Sequence, residues 1–569
     1  MLALLAAWCI MLASRNAWTP DEPRELALAA SQVERLTDLP RLGGATFAEK
    51  PPLSYWLSGL AMREFGVSAA AARFPLLLYA IVSCVAVYLL GRRLGTHATG
   101  IVAALIFATE WQVFGVQIWL ATDALLLAGV TLALLGVHLA FGGVAGNRHR
   151  WSGCTCLYFG LALALFAKNF AGWLVPVSTL FCYLAFERRL HALLQPACWL
   201  PVLGSLALLL LWARSVADST GGSAHLHALF WDNLAGRLAS FTDSSDAVRA
   251  LGHRNWPGKY LVELPVYLLP WTAVAVGAVV RLWRDRPARS ATSMSWRFAL
   301  CACVPGLIVL SLAATARGTY AATILPGVAL FIAVLITFPR DAASSPDIVR
   351  GAILWNVWLV LVLDCGLLTA ICTLQLIRGG VAPGQLLVAL LAIGLVTWIC
   401  LRCFRPAAPD ATIIRLAGAH VVTLIALSLS LVPLLNQWQD QSRIAQFIED
   451  AAHGRPMILW LPDETALAMS DLYLRKPVCV ILFDVEDPAQ RAHHLTSCLR
   501  AFPGAAVLAF DNWHDPEYGF LSRLSSTSDP LQRVTLRLRD ATLTDAGVEA
   551  VAGIVRPGGR AYLVGVRSR

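Results

Sequence analysis

Glu49-Lys50-Pro51-Pro52-Leu53-Ser54-Tyr55-Trp56 lies in a polar segment, residues 15–70, between the first apolar run of the chain and the second. Earlier in the same segment stands Asp21-Glu22-Pro23-Arg24. A polar stretch between two apolar runs sits just outside a membrane, so carboxylates, a lysine and an arginine are gathered beside a bilayer surface. Pro51 and Pro52 fix φ and offer no amide donor, and each pushes the residue before it out of the helical region. Lys50 is therefore expected in an extended turn. Tyr55-Trp56 suits a chain re-entering the headgroup layer. By themselves these charges are equally compatible with a solvated loop.

Hydrophobic residues make up 57% of the 569, and the mean hydropathy is +0.63, which excludes a soluble protein of this size. Apolar windows able to cross a hydrocarbon layer, about 20 residues with allowance for tilt, fall near 1–14, 75–90, 98–116, 120–142, 153–167, 171–187, 196–213, 260–281, 298–314, 320–338, 352–376, 384–403 and 413–435. The first and several others are short. Basic residues alternate along the loops: Arg92-Arg93, Arg148 with Arg150, Arg188-Arg189, a cluster from Arg281 to Arg297, Arg340 with Arg350, and Arg402 with Arg405. By the positive-inside rule these are cytoplasmic, as is the N-terminus. Residues 15–70, the loop 214–259 and everything after 435 then face outward, and the opening apolar run is a retained span.

The expected fold is thus an α-helical polytopic membrane protein with about thirteen transmembrane helices over residues 1–435. A small extracytoplasmic domain fills 436–569. There, apolar runs at 457–461, 478–482, 505–509, 534–538 and 561–566 read as strands, with helices near 440–452, 464–474, 487–502 and 541–555, which makes an α/β unit. The formal net charge of +9 comes from the inner arginines and is a topology signal, so no nucleic-acid partner is expected. Fourteen cysteines are scattered, many inside spans as small apolar residues. Cys154-x-Cys156 has the wrong spacing for a zinc half-site, and no metal framework is expected.

Two further charges stand where hydrocarbon meets water. Asp123 opens the fourth apolar window, where a carboxylate is costly unless paired or capping the helix. Lys168, in Ala167-Lys168-Asn169, stands at an outer hairpin, where it can snorkel. It is one of only four lysines, with Lys50, Lys259 and Lys476. In Arg317-Gly318-Thr319-Tyr320-Ala321-Ala322-Thr323, positions three apart share a helix face, so Arg317, Tyr320 and Thr323 are expected to line one surface.

The ordered motifs Asp-Glu, then Glu-Lys-Pro-Pro and Tyr-Trp, after a first span, resemble the aminoarabinose transferase and protein mannosyltransferase superfamily of polyprenyl-phosphate-dependent glycosyltransferases, which share the GT-C architecture. The resemblance covers roughly residues 1–435 and is strongest in the first seventy. It implies an inverting transfer from a polyprenyl-phosphate sugar on the periplasmic face of a bacterial inner membrane, with 4-amino-4-deoxy-L-arabinose or a similar sugar passing to lipid A or another envelope acceptor. It also implies a phosphate contact at Arg237 and an acidic residue after the third span, here Asp123. Two departures stand out: the hairpin reads Ala-Lys-Asn where the family often has Thr-Lys-Gly, and Thr323 occupies a tyrosine position. Displacing a phosphate from an anomeric carbon needs cationic groups on the leaving group. Lys50, Arg237 and Arg317 are the candidate clamp, with Arg24 and Tyr320 beside them. Asp21 is the first candidate for the catalytic carboxylate. Glu22 and Glu49 come second, either of them alternatively holding Lys50. Asp123 and Lys168 are supporting residues. The donor is lipid-borne, so no cofactor is expected; a divalent metal is compatible but not indicated. The alternatives are a protein acceptor, as for mannosyltransferases, or a non-enzymatic polyprenyl-lipid translocase.

Overall fold

The computed structural model describes residues 2–142, 147–235, 256, 258–285, 292–313, 317–337, 346–378, 383–482, 487–512, 532–534, 540–556 and 560–567. Arg237, with residues 236–255 and 257 of the loop 214–259, lies outside the described residues, as do Arg286, Arg289 and Arg340 of the basic loops. Each apolar window falls on a helix. Among the described residues, eight helices are long and apolar enough to cross a membrane, or up to ten if each of two bent pairs is one span. This count, by length and composition alone, takes Arg150–Phe186 as one span and leaves out the shorter helices, so the thirteen crossings that the sequence predicts are not confirmed by it. Helices Leu2–Ser14 and Leu325–Thr337 are apolar but shorter. The stretch Arg150–Phe186, which passes as one span by composition, doubles back on itself: the Trp173 indole donates to the Leu161 carbonyl at 2.9 Å.

That reversal shows why the hairpin has its departure from Thr-Lys-Gly. Asn169 has φ +51°, the left-handed region that favours glycine and that asparagine tolerates best among the other residues. The substitution keeps the turn. The Asn169 amide also donates to Leu229 O at 3.0 Å, which a glycine could not do.

The helices Thr122–Phe141 and Asn147–Lys168 pack backbone against backbone. A methyl on Gly129 would lie 2.5 Å from the Ala164 nitrogen, and one on Gly136 would lie 2.4 Å from that of Leu157. Gly153 and Gly160 press back on Ala140 and Ala133 in the same way. Small residues that admit direct backbone contact are how helices associate where lipid offers no hydrophobic drive. These contacts also fix the register of the antiparallel pair. The offset that sets Gly136 against Leu157 and Gly129 against Ala164 sets Asp123 against Lys168 at one end of the pair. Arg92-Arg93 and Arg188-Arg189 lie at the far ends of the helices that carry Arg73 and Lys168 or follow directly from them, so one end of the bundle is arginine-rich and the other carries the mixed charges.

Two bent pairs meet: His97–Thr109 with Trp111–Ile118 (66°), and Lys259–Tyr267 with Thr272–Arg284 (117°). Each break supplies the other with a hydrogen bond, Trp111 N to Leu269 O at 2.7 Å and the Trp271 indole to Thr109 Oγ1 at 2.9 Å. Backbone freed by a helix break in an apolar setting needs such partners.

In the polar segment, Glu22–Ala30 and Leu53–Phe65 are helices, with β1 (Arg41–Leu42) and β2 (Ala45–Thr46) pairing between them. After it, the C-terminal domain is an α/β unit around six strands: β3 (Met457–Trp460), β4 (Cys479–Ile481), β5 (Ala506–Asn512), β6 (Gln532–Val534), β7 (Val548–Arg556) and β8 (Arg560–Arg567). Their order is β4-β3-β5-β8-β7-β6, parallel at β4-β3-β5 and antiparallel beyond. Alternate residues serve opposite faces: Met457 and Leu459 pack with Ile444 and Met469, whereas Ile458 and Trp460 pack with Leu495 and Leu543. The expected helix over 541–555 is corrected here. It stops at Asp545, and Gly547 at φ +74° turns the chain into β7. The alanines of Val548-Glu549-Ala550-Val551-Ala552 resemble a helix former's pattern, but pairing with β8 overrides that local preference. Cys479 and Cys498 form a disulfide from β4 to the helix Pro488–Ala501, and the other twelve cysteines are free.

Candidate active site

Pro20 and Pro23 bracket the start of helix Glu22–Ala30, and Asp21 takes its N-cap position without a side-chain capping bond. Its carboxylate is therefore left for other partners, in a position where the helix dipole favours a negative charge. Arg24 Nη2 approaches Asp21 at 3.6 Å and Arg317 Nη1 at 4.0 Å, and the Asp21 side chain is 32% exposed. The carboxylate is neighboured by two guanidinium groups but tightly bound by neither.

Glu22, one residue on, has the opposite fate. It is fully buried and accepts from Arg15 Nη2 at 2.5 Å, Arg73 Nε at 3.2 Å, Arg73 Nη2 at 2.9 Å, Trp18 N at 2.9 Å and Leu120 N at 2.8 Å. Both oxygens are consumed in tying four segments together, so it is an anchor and not a group facing a reactant. Neither Glu22 nor Glu49 holds Lys50. That role belongs to Glu25, which the sequence reading passed over: Lys50 Nζ donates to it at 2.9 Å and Arg24 Nη2 at 2.7 Å. Burial pushes the Glu25 carboxyl up, but Lys50 and Arg24 outweigh this and hold it at about 2. Tyr55 of the quoted stretch is fully buried beside it; burial, then the Glu25 charge, lifts its phenol well above the usual value and keeps it neutral. Glu49 is half-buried and exerts its charge on Arg24 and Tyr55.

Across the site, Lys168 Nζ donates to Asp123 at 2.6 Å, the consequence of the glycine-set register. Lys50 and Thr319 also face the Asp123 carboxylate. Lys168 lies 4.4 Å over the Tyr320 ring, a cation–π contact. Gly318–Thr323 forms a 3₁₀ turn, in which residues three apart eclipse. Tyr320 faces Lys168, and Thr323 is buried with its hydroxyl on Tyr320 O at 2.8 Å. Arg317, just before the turn, faces Asp21 instead, so the three do not share one surface as expected.

Together the groups close a ring: Asp21, Arg24, Glu25, Lys50, Asp123, Lys168, Tyr320 and, through the 3₁₀ turn, Arg317 back to Asp21. Acids and bases alternate around it, and its members come from five segments of the chain. Asp21 and Lys50 are not in direct contact; Arg24 and Glu25 stand between them. The C-terminal domain joins the ring at one point, where Arg24 Nη1 donates to Glu464 at 2.5 Å. Among the described residues one cluster of metal-capable atoms occurs, Cys479, His494 and Cys498, away from this ring and with its cysteines disulfide-bonded.

Residues 49–213 match the family model for dolichyl-phosphate-mannose-protein mannosyltransferase. The chain is 27% identical over 288 residues to the undecaprenyl phosphate-alpha-4-amino-4-deoxy-L-arabinose arabinosyl transferase of Pseudomonas aeruginosa, covering 50% of each chain. To the enzyme of that name from Erwinia tasmaniensis it is 28% identical over 321 residues, covering 55% of this chain and 54% of the relative. The chain thus spans about half the length of the curated relatives it matches. The crystal structure of ArnT from Cupriavidus metallidurans bound to undecaprenyl phosphate superposes with a TM-score of 0.69 at 14% identity, covering 99% of this chain and 96% of that one. That likeness is one of fold.

Proposed function

We propose, from the premise that the chain belongs to the superfamily of aminoarabinose transferases and protein mannosyltransferases with the GT-C fold, that it is an integral-membrane glycosyltransferase. It takes a sugar from a polyprenyl phosphate at the outer membrane surface and passes it to an envelope acceptor. The observation that carries this reading is the closed ring, in which one carboxylate, Asp21, keeps loose partners while every other acid is firmly engaged or set back. A displacement at an anomeric carbon needs a base or orienting anion on the acceptor side and cations on the departing phosphate. Asp21 supplies the first. Arg317 and Lys50 are the nearest candidates for the second, with Arg24, Arg237 and Tyr320 as further donors. Asp123 and Lys168 fix the rim on which Lys50 and Tyr320 rest.

The matched relatives point to 4-amino-4-deoxy-L-arabinose on undecaprenyl phosphate as donor, and lipid A is the acceptor the reading favours. Because the family model over residues 49–213 is that of a protein mannosyltransferase, a protein acceptor is the second reading. The site faces outward in this account: disulfides persist in oxidising compartments, and Cys479–Cys498 lies in the domain that touches the ring. The reading includes no resident cofactor. Mass spectrometry of lipid A and of total glycoproteins, from cells with and without the chain, tests it. A sugar mass added to lipid A supports the first acceptor, and one added to protein supports the second. No sugar-bearing product in either fraction, from cells supplied with the undecaprenyl-phosphate donor, would refute the transferase reading.

A further inference from the structure

The C-terminal domain grips the segment that bears Asp21 from both sides. Arg556 Nη1 donates to Thr19 Oγ1 at 2.8 Å, the Thr465 hydroxyl to Pro20 O at 3.3 Å, and Glu464 receives Arg24 Nη1 at 2.5 Å. Helix Glu464–Tyr473 is set for this. Asp463 caps its start through Ala466 N and is itself held by Arg560, while Ala468 and Leu467 pack on Ala27, Leu28 and Tyr55. The contact falls at one end of a guanidinium that three carboxylates share. Arg24 Nη2 is on Glu25 at 2.7 Å and Nη1 on Glu464 at 2.5 Å, which leaves Asp21 at 3.6 Å from Nη2.

From this geometry we infer that Glu464 is a positioning residue for Asp21: it holds the Arg24 guanidinium turned toward the outer domain, so that Asp21 keeps an unpaired lone pair for the acceptor. A guanidinium seeks a carboxylate for each edge of its fork. Without the Glu464 charge, Nη1 keeps at best a neutral amide oxygen, and Asp21, the N-cap three residues before Arg24 and already 3.6 Å from Nη2, is the carboxylate next in reach. Asp21 would then be locked in an ion pair. An adjacent opposite charge lowers a carboxyl's pKa, and a carboxylate bound in this way is a poorer base. The Glu464 side chain is 45% exposed, so replacing it removes little packing.

The inference rests on the proposed role of Asp21, and its test separates the two. Transfer from undecaprenyl-phosphate aminoarabinose to lipid A is measured against pH for the full-length protein, Glu464→Gln, Glu464→Asp and Asp21→Asn, with a side-chain-resolution structure of Glu464→Gln. The expected result is a kcat lowered about tenfold or more, an acid limb displaced to lower pH, an unchanged donor KM, and partial rescue by Glu464→Asp. In the structure, Arg24 should close on Asp21 to hydrogen-bond distance. A Glu464→Gln enzyme whose acid limb stays at the wild-type pH overturns the inference, whatever its rate, because a merely structural loss would do that. If Asp21→Asn remains active, the proposed function is wrong at that residue, and the Arg24–Asp21 distance in the Glu464→Gln structure still decides whether Glu464 does the holding.

Discussion

Asp21 and Glu22 are adjacent in sequence and opposite in kind, and exchanging each for its amide should separate catalysis from stability. Glu22→Gln strikes a carboxylate that is fully buried and receives five hydrogen bonds, three of them from two arginines that are themselves buried. The amide that replaces one oxygen would point donors at donors, and the negative charge that offsets Arg15 and Arg73 would be gone. Removing one partner of a buried ion pair costs about 3–5 kcal/mol, which is roughly two to three and a half orders of magnitude in an unfolding equilibrium. Asp21→Asn removes contacts of 3.6 and 4.0 Å at a partly exposed side chain, worth no more than about 1 kcal/mol. Thermal unfolding of the two variants and the parent in detergent, followed by tryptophan fluorescence and read beside transfer activity, is the assay. Glu22→Gln should melt far below the parent, while Asp21→Asn should melt near it yet transfer no sugar. A Glu22→Gln protein as stable as the parent would refute the claim that this residue ties the outer segment to the bundle.

Two further outcomes follow from the geometry. The Glu25 carboxyl, held at about 2 against an ordinary 4.5, contributes stability that is fully present above about pH 4.5 and drains away as pH falls toward 2. The shift corresponds to roughly 3 kcal/mol. Melting temperature against pH should fall across that window, and Glu25→Gln, already lower at neutral pH, should show a flatter acid slope; equal slopes would count against the Lys50–Glu25–Arg24 triad. Gly136→Leu would force side-chain volume into a backbone 2.4 Å from the added carbon, at about 1–3 kcal/mol or more. By prying the helix pair apart it should also weaken the Asp123–Lys168 contact, so loss of stability without loss of transfer would show that register there does not matter to the site.

Much of this was legible in the order of residues. Long apolar windows are a strong signal, and each of them falls on helix. Apolar length alone does not fix the number of crossings, because bends and short helices separate length from crossing. Asp21, Lys50, Asp123, Lys168 and Arg317 do come to one place, since each is a charge at the edge of an apolar run with only that edge to occupy. Glu25 was missed because a glutamate in an amphipathic nine-residue helix looks like a solvated one; its burial depends on the C-terminal domain covering that helix. Glu464 had no signal at all. It meets Arg24 across 440 positions of sequence, and nothing local to either residue specifies that meeting. Arg73 was readable in principle, as a guanidinium within the first turns of an apolar helix that must find an anion.

The bond from Arg556 to Thr19 joins residues 537 positions apart. Translation therefore delivers Thr19 long before β7, and the segment around it, held between its flanking helices, gains this contact only once the β7–β8 hairpin has folded. Contacts of such sequence separation are late to form. A nascent chain can thus insert every helix before the segment that bears Asp21 gains this contact.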